Sequence, residues 1–414
     1  MTQGKGSCNK RSSAVKKLFI KQKVSLQFVS YVEDEIDFFS ELLRFCEHGK
    51  IFIMTKQVFL GGKGITKRIA IGGGAPVSLQ TMWKDGITDV AENNQKLENI
   101  LQQLNELQLL GCDIVRFAVP DMESAHGLNA IAQRTSMPLV ADIHFNYKLA
   151  LECLKGNVAA IRINPGNIGS IENTQKVIEA CRENGAAIRI GINSGSLPKD
   201  LQEKIATGEI TRAQGLCETA VREAEIFEKF NFDQYVVSMK SSDVQETIDC
   251  NRFYAQKYNN PLHLGVTEAG PLIGGIVKSS IAFYTLLKEG IGDTIRVSLS
   301  SPVENEVIAG LNILKECGKR KGGVNLISCP RCGRIGFDVH GFVERWQKKL
   351  LAMDKDISVA VMGCVVNGPG EGKHADLGIA GGNGKCIIFK KGKIIHTIDE
   401  KDADKVFEEE INSL

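Results

Sequence analysis

The segment SCPRCGR places Cys329 and Cys332 with two residues between them, and VMGCVVNGPGEG supplies Cys364 and Glu371 after a gap of about thirty residues. A C-x-x-C pair lets two thiolates reach one metal centre from a single turn, and a third thiolate from a distant loop closes the fold around it. The set is one cysteine short of a cluster-ligand set. A carboxylate in the fourth place binds a soft iron–sulfur core weakly, so Glu371 could leave and open one iron to a substrate. That points to catalysis more than to electron storage. The same knuckle also occurs in zinc ribbons, which need a second pair of ligands. Downstream there remain only Cys364 and Cys386, 22 residues apart, so zinc held by Cys329, Cys332, Cys364 and Cys386 stands as the alternative. Cys386 lies in the alternating run KCIIF and reads more simply as a packed thiol.

A second constellation is spread along the chain. The ends of successive β-branched runs offer Arg116, Asp142 with His144, Arg162 with Asn164, Arg189 with Asn193, Lys240, Glu268, and Arg296 with Ser298. Five permanent cations against two acids repel one another if they converge, unless an anion sits among them. The expected ligand is multiply negative, with phosphate the natural candidate. Arginine's planar fork matches phosphate oxygens, while Asn and Ser can bond sugar-like hydroxyls. His144 has no second His or Cys at ligand spacing and is expected to be a positioned hydrogen-bonding group. Glu268, in VTEAG, is an acid among cations and is read as a proton donor.

Convergence requires a scaffold. Eight runs, at 77–82, 113–119, 139–145, 160–166, 187–193, 235–243, 262–269 and 294–300, alternate with stretches of helical apolar spacing that often end in Gly. Eight strand–helix units predict an α/β fold with an N-terminal (β/α)8 TIM-type barrel, whose strand C-termini build the active site. The alternative, an open doubly wound sheet, would carry G-x-G-x-x-G in its first turn, and the chain has none. The glycines at 72–74 precede the first run and are read as a turn.

After about residue 318 a polar, glycine-rich link leads into a smaller α/β domain. A helix is expected over 342–353, a strand over 357–363, and a hairpin over 385–398 turning at Lys391-Gly392. The predicted domains are therefore an N-terminal extension over 1–65, the substrate-binding barrel over 66–317 and the cluster domain over 318–414. Residues 1–32 hold seven Lys or Arg and no acid, a bias like that of a transit peptide. Everything before Met54 lacks the periodicity of the rest, so a start codon placed too early is the favoured reading.

The 43% hydrophobic content, 24% charged residues and net charge of +2 are those of a soluble globular protein and point to neither nucleic acid nor an acidic membrane. Twelve cysteines scattered through a 414-residue chain make no disulfide scaffold, and a reducing cytoplasm is expected. No apolar run approaches the length needed to cross a bilayer.

SCPRCGR and VMGCVVNGPGE, together with LVADIHF, RINPGNIG, RIGINSGSL, HLGVTEAG and GDTIRVSL, resemble the 4-hydroxy-3-methylbut-2-enyl diphosphate synthase family from about residue 66 onward. No large insertion separates barrel from cluster domain, which marks the bacterial two-domain type. The resemblance implies a 4Fe–4S cluster, one per subunit, held by Cys329, Cys332, Cys364 and Glu371, with Glu371 a displaceable ligand. It implies a substrate, 2-C-methyl-D-erythritol 2,4-cyclodiphosphate, that is opened and dehydrated to (E)-4-hydroxy-3-methylbut-2-enyl diphosphate in non-mevalonate isoprenoid biosynthesis. Arg116, Arg162, Arg189, Lys240 and Arg296 would hold the diphosphate, with His144, Asn164, Asn193 and Ser298 beside them. Glu268 would assist loss of water, and Asn367 on the cluster loop would face the same space. The family also implies electrons from flavodoxin or ferredoxin and a head-to-tail homodimer in which one chain's cluster caps the other's barrel. Two readings compete with it: a zinc-stabilised phosphate-binding barrel without redox chemistry, and a metal-free barrel enzyme condensing phosphorylated pterin-like substrates.

Overall fold

The structure, a computed structural model, describes residues 54–414 apart from 334–335, 365–367 and 383. Two short antiparallel strands come first, β1 (Val58–Leu60) and β2 (Ile69–Ile71). The turn following β2 holds Gly72, Gly73 and Gly74 at φ of 76°, 60° and 80°, a left-handed run that only glycine adopts cheaply.

All eight predicted runs contain strands of a single parallel sheet. They are β3 (Ser78–Met82), β4 (Ile114–Ala118), β5 (Leu139–Asp142), β6 (Ala160–Ile163), β7 (Ala187–Asn193), β8 (Tyr235–Lys240), β9 (His263–Leu264) and β10 (Thr294–Ile295). Their order is β8-β7-β6-β5-β4-β3-β10-β9, and a parallel bridge between Val237 and Leu262 joins β8 to β9. The sheet is thus an eight-stranded barrel with helices between its strands.

The seventh and eighth runs are shorter as strands than expected, for a local reason. A Cβ on Gly265 would lie 2.7 Å from Lys240 Nζ, so the chain leaves the sheet where that side chain crosses it. Amides beyond the break find other acceptors: Thr267 N donates to Ser241 O at 3.0 Å, and Leu299 N to the Glu306 carboxylate at 3.0 Å.

Val58, Leu60 and Ile71 bury their side chains against Ile114, Val140, Ala160, Ala187 and Val236, residues at or near the starts of the barrel strands. The β1–β2 hairpin therefore stoppers the end opposite the mouth. This corrects the expected extension over 1–65, because the chain from Val58 on is already part of the barrel's core. The transit-like or early-start segment over 1–53 lies outside the described residues.

The C-terminal part is a five-stranded sheet of β11 (Asn325–Ser328), β12 (Ser358–Met362), β13 (Leu377–Gly382), β14 (Lys385–Lys390) and β15 (Lys393–Asp399), in that order. The first three run parallel and the rest antiparallel. The predicted hairpin is β14–β15, with Lys391 and Gly392 at φ of 47° and 78° in its turn. The predicted helix appears as Val339–Leu351, starting earlier because the Asp338 carboxylate accepts Gly341 N at 3.2 Å. That helix and Ala403–Asn412 cover one sheet face with Phe342, Trp346 and Phe407. No helix among the described residues is long and apolar enough to cross a membrane.

Candidate active site

At the C-terminal ends of the barrel strands lies a cavity of about 190 Å³. Strand alternation aims one side chain in two into the barrel, so β4, β6, β7 and β8 deliver Arg116, Arg162, Arg189 and Lys240 to one cavity. Arg296, Ser298, Asn193 and His144 complete the polar wall from strand ends and the loops after them. The five cations, which span 180 residues of sequence from Arg116 to Arg296, are brought together here.

Burial makes their charge costly. Arg162, Arg189 and Lys240 are 6%, 5% and 8% exposed. Burial pushes the Arg116 guanidinium down to about 10, with Asp142 pulling the other way. Arg189 and Lys240 are held well below their ordinary values, first by burial and then by neighbouring cations. Arg189 Nη1 donates to Gln80 Oε1 at 2.6 Å, but its Nη2 is buried without a partner among the described residues. A buried guanidinium with an idle nitrogen is a site prepared for an anion.

Two carboxylates anchor this cluster. Asp142, 3% exposed, accepts Arg162 Nη1 at 3.1 Å and faces Arg116 Nε at 3.4 Å and His144 Nε2 at 3.8 Å. Burial alone would raise its carboxyl, but Arg116, Arg162 and Arg189 outweigh that and hold it below the usual range. Glu306, from the helix Val303–Glu316, is likewise fully buried and ionised, its burial outweighed by Arg296, Lys84 and hydrogen bonds from Leu299 and Thr81.

Not every expected residue reaches the cavity. Asn164 is buried, but its Oδ1 accepts Gly166 N at 3.1 Å to cap the turn Pro165–Asn167, and it does not line the wall. Glu268 is exposed on the loop after β9, outside the cavity lining, with its backbone at φ 49°. A non-glycine residue in that region is strained, and such strain collects at functional loops. Sequence reasoning missed Gln80, Ser238, Thr267 and Glu306. Ser238 had a signal, since in YVVSMK it shares a face with Lys240 two residues on. Glu306 had none, as its helix position shows nothing of the strand ends it serves.

The cysteine motif lies at the other sheet. Cys329 follows β11 and donates its N–H to Val361 O at 3.0 Å, while Cys364 follows β12, so two neighbouring parallel strands bring both thiols to the same end. Arg331, at φ 73°, makes the left-handed step of the knuckle, and Cys332 beside it is exposed. Cys364 O accepts Gly368 N at 3.0 Å, leading into the short helix Gly368–Glu371. Asn367 and the Glu371 side chain lie outside the described residues.

Cys386 is fully buried in the helix-covered core, whereas Cys329 packs on the opposite face beside Ala360, Met362 and Phe389. Burial lifts the Cys386 thiol to about 11. One ion cannot take ligands from both faces of a sheet, so the zinc set containing Cys386 is overturned. Among the described residues no three His, Cys, Asp or Glu stand close enough to hold a single ion. The donors fit a larger group: Cys329, Cys332 and Cys364 are none of them fully buried and none in a disulfide, and they follow the same ends of two neighbouring strands. A four-iron cluster spaces its ligands more widely than one ion does.

Comparison with known proteins bears on both sites. Residues 63–311 match the GcpE TIM-barrel domain and residues 325–413 the GcpE protein C-terminal domain. A protein of Treponema denticola named 4-hydroxy-3-methylbut-2-en-1-yl diphosphate synthase (flavodoxin) is 57% identical, the match covering 87% of this chain and 99% of the relative. Proteins of the same name from Treponema pallidum and Clostridium acetobutylicum are 52% and 46% identical, covering 87% of this chain and 92% and 99% of theirs. Among solved structures, the dihydropteroate synthase of Coxiella burnetii with pteroic acid aligns at a TM-score of 0.42 and 13% identity, over 63% of this chain and 98% of that one.

Proposed function

The chain belongs to the GcpE family of 4-hydroxy-3-methylbut-2-en-1-yl diphosphate synthases, and we propose that it performs the family's step with the two sites described above. That step is the reductive ring opening and dehydration of 2-C-methyl-D-erythritol 2,4-cyclodiphosphate to (E)-4-hydroxy-3-methylbut-2-enyl diphosphate. The observation that carries the assignment of residues is the cavity where five cations converge with two anchoring carboxylates.

Arg116, Arg162, Arg189, Lys240 and Arg296 bind the two phosphates, and His144, Asn193 and Ser298 offer hydrogen bonds to the remaining oxygens. Asn164 acts indirectly, by fixing the turn after Arg162. Cys329, Cys332, Cys364 and Glu371 would hold a 4Fe–4S cluster, which supplies electrons one at a time, with reduced flavodoxin as donor. Glu268 gives a proton to the oxygen that departs as water. Glu268 is exposed, so the role requires a cover over the mouth that excludes water from it.

The linker supports a second copy as the source of the cover. Arg320 donates to Val77 O at 3.3 Å, to Gly111 O at 3.4 Å and to the Asp113 carboxylate, all beside the starts of β3 and β4. The chain is thus pinned at the end of the barrel opposite the mouth, which favours a second copy as the source of the cap. A head-to-tail homodimer would also give a partner to Ile273, Val277, Ile281 and Tyr284, which stand 78%, 51%, 52% and 51% exposed along one helix.

The test is an anaerobic assay of cluster-reconstituted protein with the cyclodiphosphate and reduced flavodoxin. Brown protein and formation of the hydroxy-methylbutenyl diphosphate are expected; a colourless, inactive protein sinks the reading. Co-expressing a Cys364→Ser chain with a Glu268→Gln chain should restore part of the activity, and no restoration counts against composite sites.

A further inference from the structure

The barrel closes weakly at one seam. β10 pairs with β3 through only Thr294↔Ser78 and Ile295↔Leu79, while β3 runs on to Met82. From that level to the mouth, backbone hydrogen bonds do not join the two strands, and side chains centred on Glu306 stand in their place. Glu306, 1% exposed, accepts Thr81 Oγ1 at 2.7 Å and Lys84 Nζ at 2.8 Å from the β3 side. From the β10 side it accepts Arg296 Nη2 at 3.1 Å, Arg296 Nε at 3.4 Å and Leu299 N at 3.0 Å. Lys84 Nζ also donates to Leu299 O at 2.7 Å, closing the ring.

We infer that Glu306 is the positioning residue of the barrel mouth, a carboxylate clamp that replaces the missing sheet pairing and sets Arg296 and Ser298 against the phosphates of the ligand. The inference rests on the reading that the cavity binds those phosphates. Glu306 occupies the Nε–Nη2 edge of the Arg296 guanidinium, which leaves Nη1 without a protein partner among the described residues. By anchoring Leu299 N as well, it fixes the chain on both sides of Ser298. It touches no ligand itself.

A plain counter-charge predicts the opposite behaviour. If Glu306 only offsets positive charge, neutralising it should strengthen anion binding, because the net field at the mouth becomes more positive. If it positions Arg296, the amide of Glu306→Gln presents a donor to a donor, the guanidinium turns away, and binding weakens.

The experiment measures inorganic pyrophosphate binding to the cluster-loaded enzyme by calorimetry. The dissociation constant of Glu306→Gln is expected to rise about tenfold, and KM for the cyclodiphosphate to rise with it. Glu306→Asp, which keeps the charge, should recover part of the loss. Glu306→Gln combined with Arg296→Ala should bind no worse than Arg296→Ala alone, since the two act through one contact. Should Glu306→Gln fail to fold, Lys84→Met opens the same ring at its rim and should weaken binding in the same direction. Unchanged or tighter binding by the folded variant, or additive losses in the double variant, overturns the inference. A wild-type enzyme that binds no pyrophosphate overturns the phosphate reading itself, and the two failures are thereby told apart.

Discussion

Asp142→Asn removes the carboxylate that three arginines share while leaving the side chain's shape. Arg162 Nη1 and Arg116 Nε stand 3.1 and 3.4 Å from its oxygens, and Asp142 is 3% exposed. At an effective dielectric of about 20 each contact is worth roughly 5 kcal/mol of Coulomb attraction, opposed by a desolvation cost of several kcal/mol per ion. Breaking a buried pair by removing one partner costs about 3–5 kcal/mol, because the stranded guanidiniums remain buried. For a domain of this size each kcal/mol moves Tm by about 2–4 °C, so the variant should melt about 10 °C lower in the absence of anions. Pyrophosphate stabilises whatever it binds by mass action, and it restores some of the missing negative charge only in the variant. Scanning calorimetry at low salt, with and without pyrophosphate, should show the gap narrow. The sign with pH is fixed by the lowered carboxyl: its contribution is complete above the unfolded value near 3.8 and is lost as pH falls through the lower folded value. The gap should therefore close only below about pH 3–4. A variant melting within about 2 °C of wild type at pH 7, or a gap that pyrophosphate widens, would refute the reasoning.

Other perturbations separate the remaining roles. Lys240→Met should raise the Tm of the anion-free protein at pH 7 and abolish pyrophosphate binding; the depressed folded value means the penalty is present in full below it and disappears as pH rises toward the unfolded 10.5, so a stabilisation that grows with pH would contradict this. Gly265→Ala places a methyl 2.7 Å from Lys240 Cε and Nζ and should weaken pyrophosphate binding about tenfold, seen by calorimetry; unchanged affinity would mean that the ammonium does not reach the ligand. Pyrophosphate binding should take up protons, because a polyanion restores the affinity of Lys240 for its proton; identical heats in buffers of different ionisation enthalpy would count against it. Cys386→Ser should keep the visible absorption of the reconstituted protein, whereas Cys364→Ser should lose most of it, and equal spectra would reopen the question of the ligands.

Much of the site was legible because a barrel converts sequence order into position. Each of four β-branched runs carries one cation on the face that the parallel sheet turns into the barrel, so Arg116, Arg162, Arg189 and Lys240 could be read one strand at a time. Strand lengths were less legible. HLGVTEAG and TIRVSLS have strand composition throughout, yet pairing stops at Leu264 and Ile295 because a side chain from a neighbouring strand and a carboxylate from a helix take over. β11 and β13 escaped notice for opposite reasons. Asn325–Ser328 is an exposed edge strand without alternation, and LGIAGG needs its glycines to let Phe389 and Phe337 lie against the backbone. Asn164 illustrates the limit of residue type as evidence: it stands one residue past β6 where a ligand contact was expected, but an Asn before Pro-Gly is equally suited to capping the turn, and the turn has it.

The imbalance of charge at the mouth carries a further consequence for the reaction. Two buried carboxylates, Asp142 and Glu306, face Arg116, Arg162, Arg189, Lys240 and Arg296, so positive charge remains in excess and the protein bears that repulsion whenever no anion is bound. A cyclic diphosphate brings one ionised oxygen on each phosphorus. Cleaving a ring carbon–oxygen bond frees a second ionisable oxygen on one of them, so negative charge grows at the phosphate as the ring opens. At the proposed phosphate site, fixed cations in a water-poor cavity would stabilise that growing charge more than the charge already present in the substrate, lowering the barrier as well as securing the ligand. Lys240, whose hold on its proton is weakest when the cavity is empty, gains most from each increment of negative charge. A cluster of cations that merely balanced the substrate would bind it well and do nothing for the step that follows; the excess is what gives the barrel a part in the chemistry.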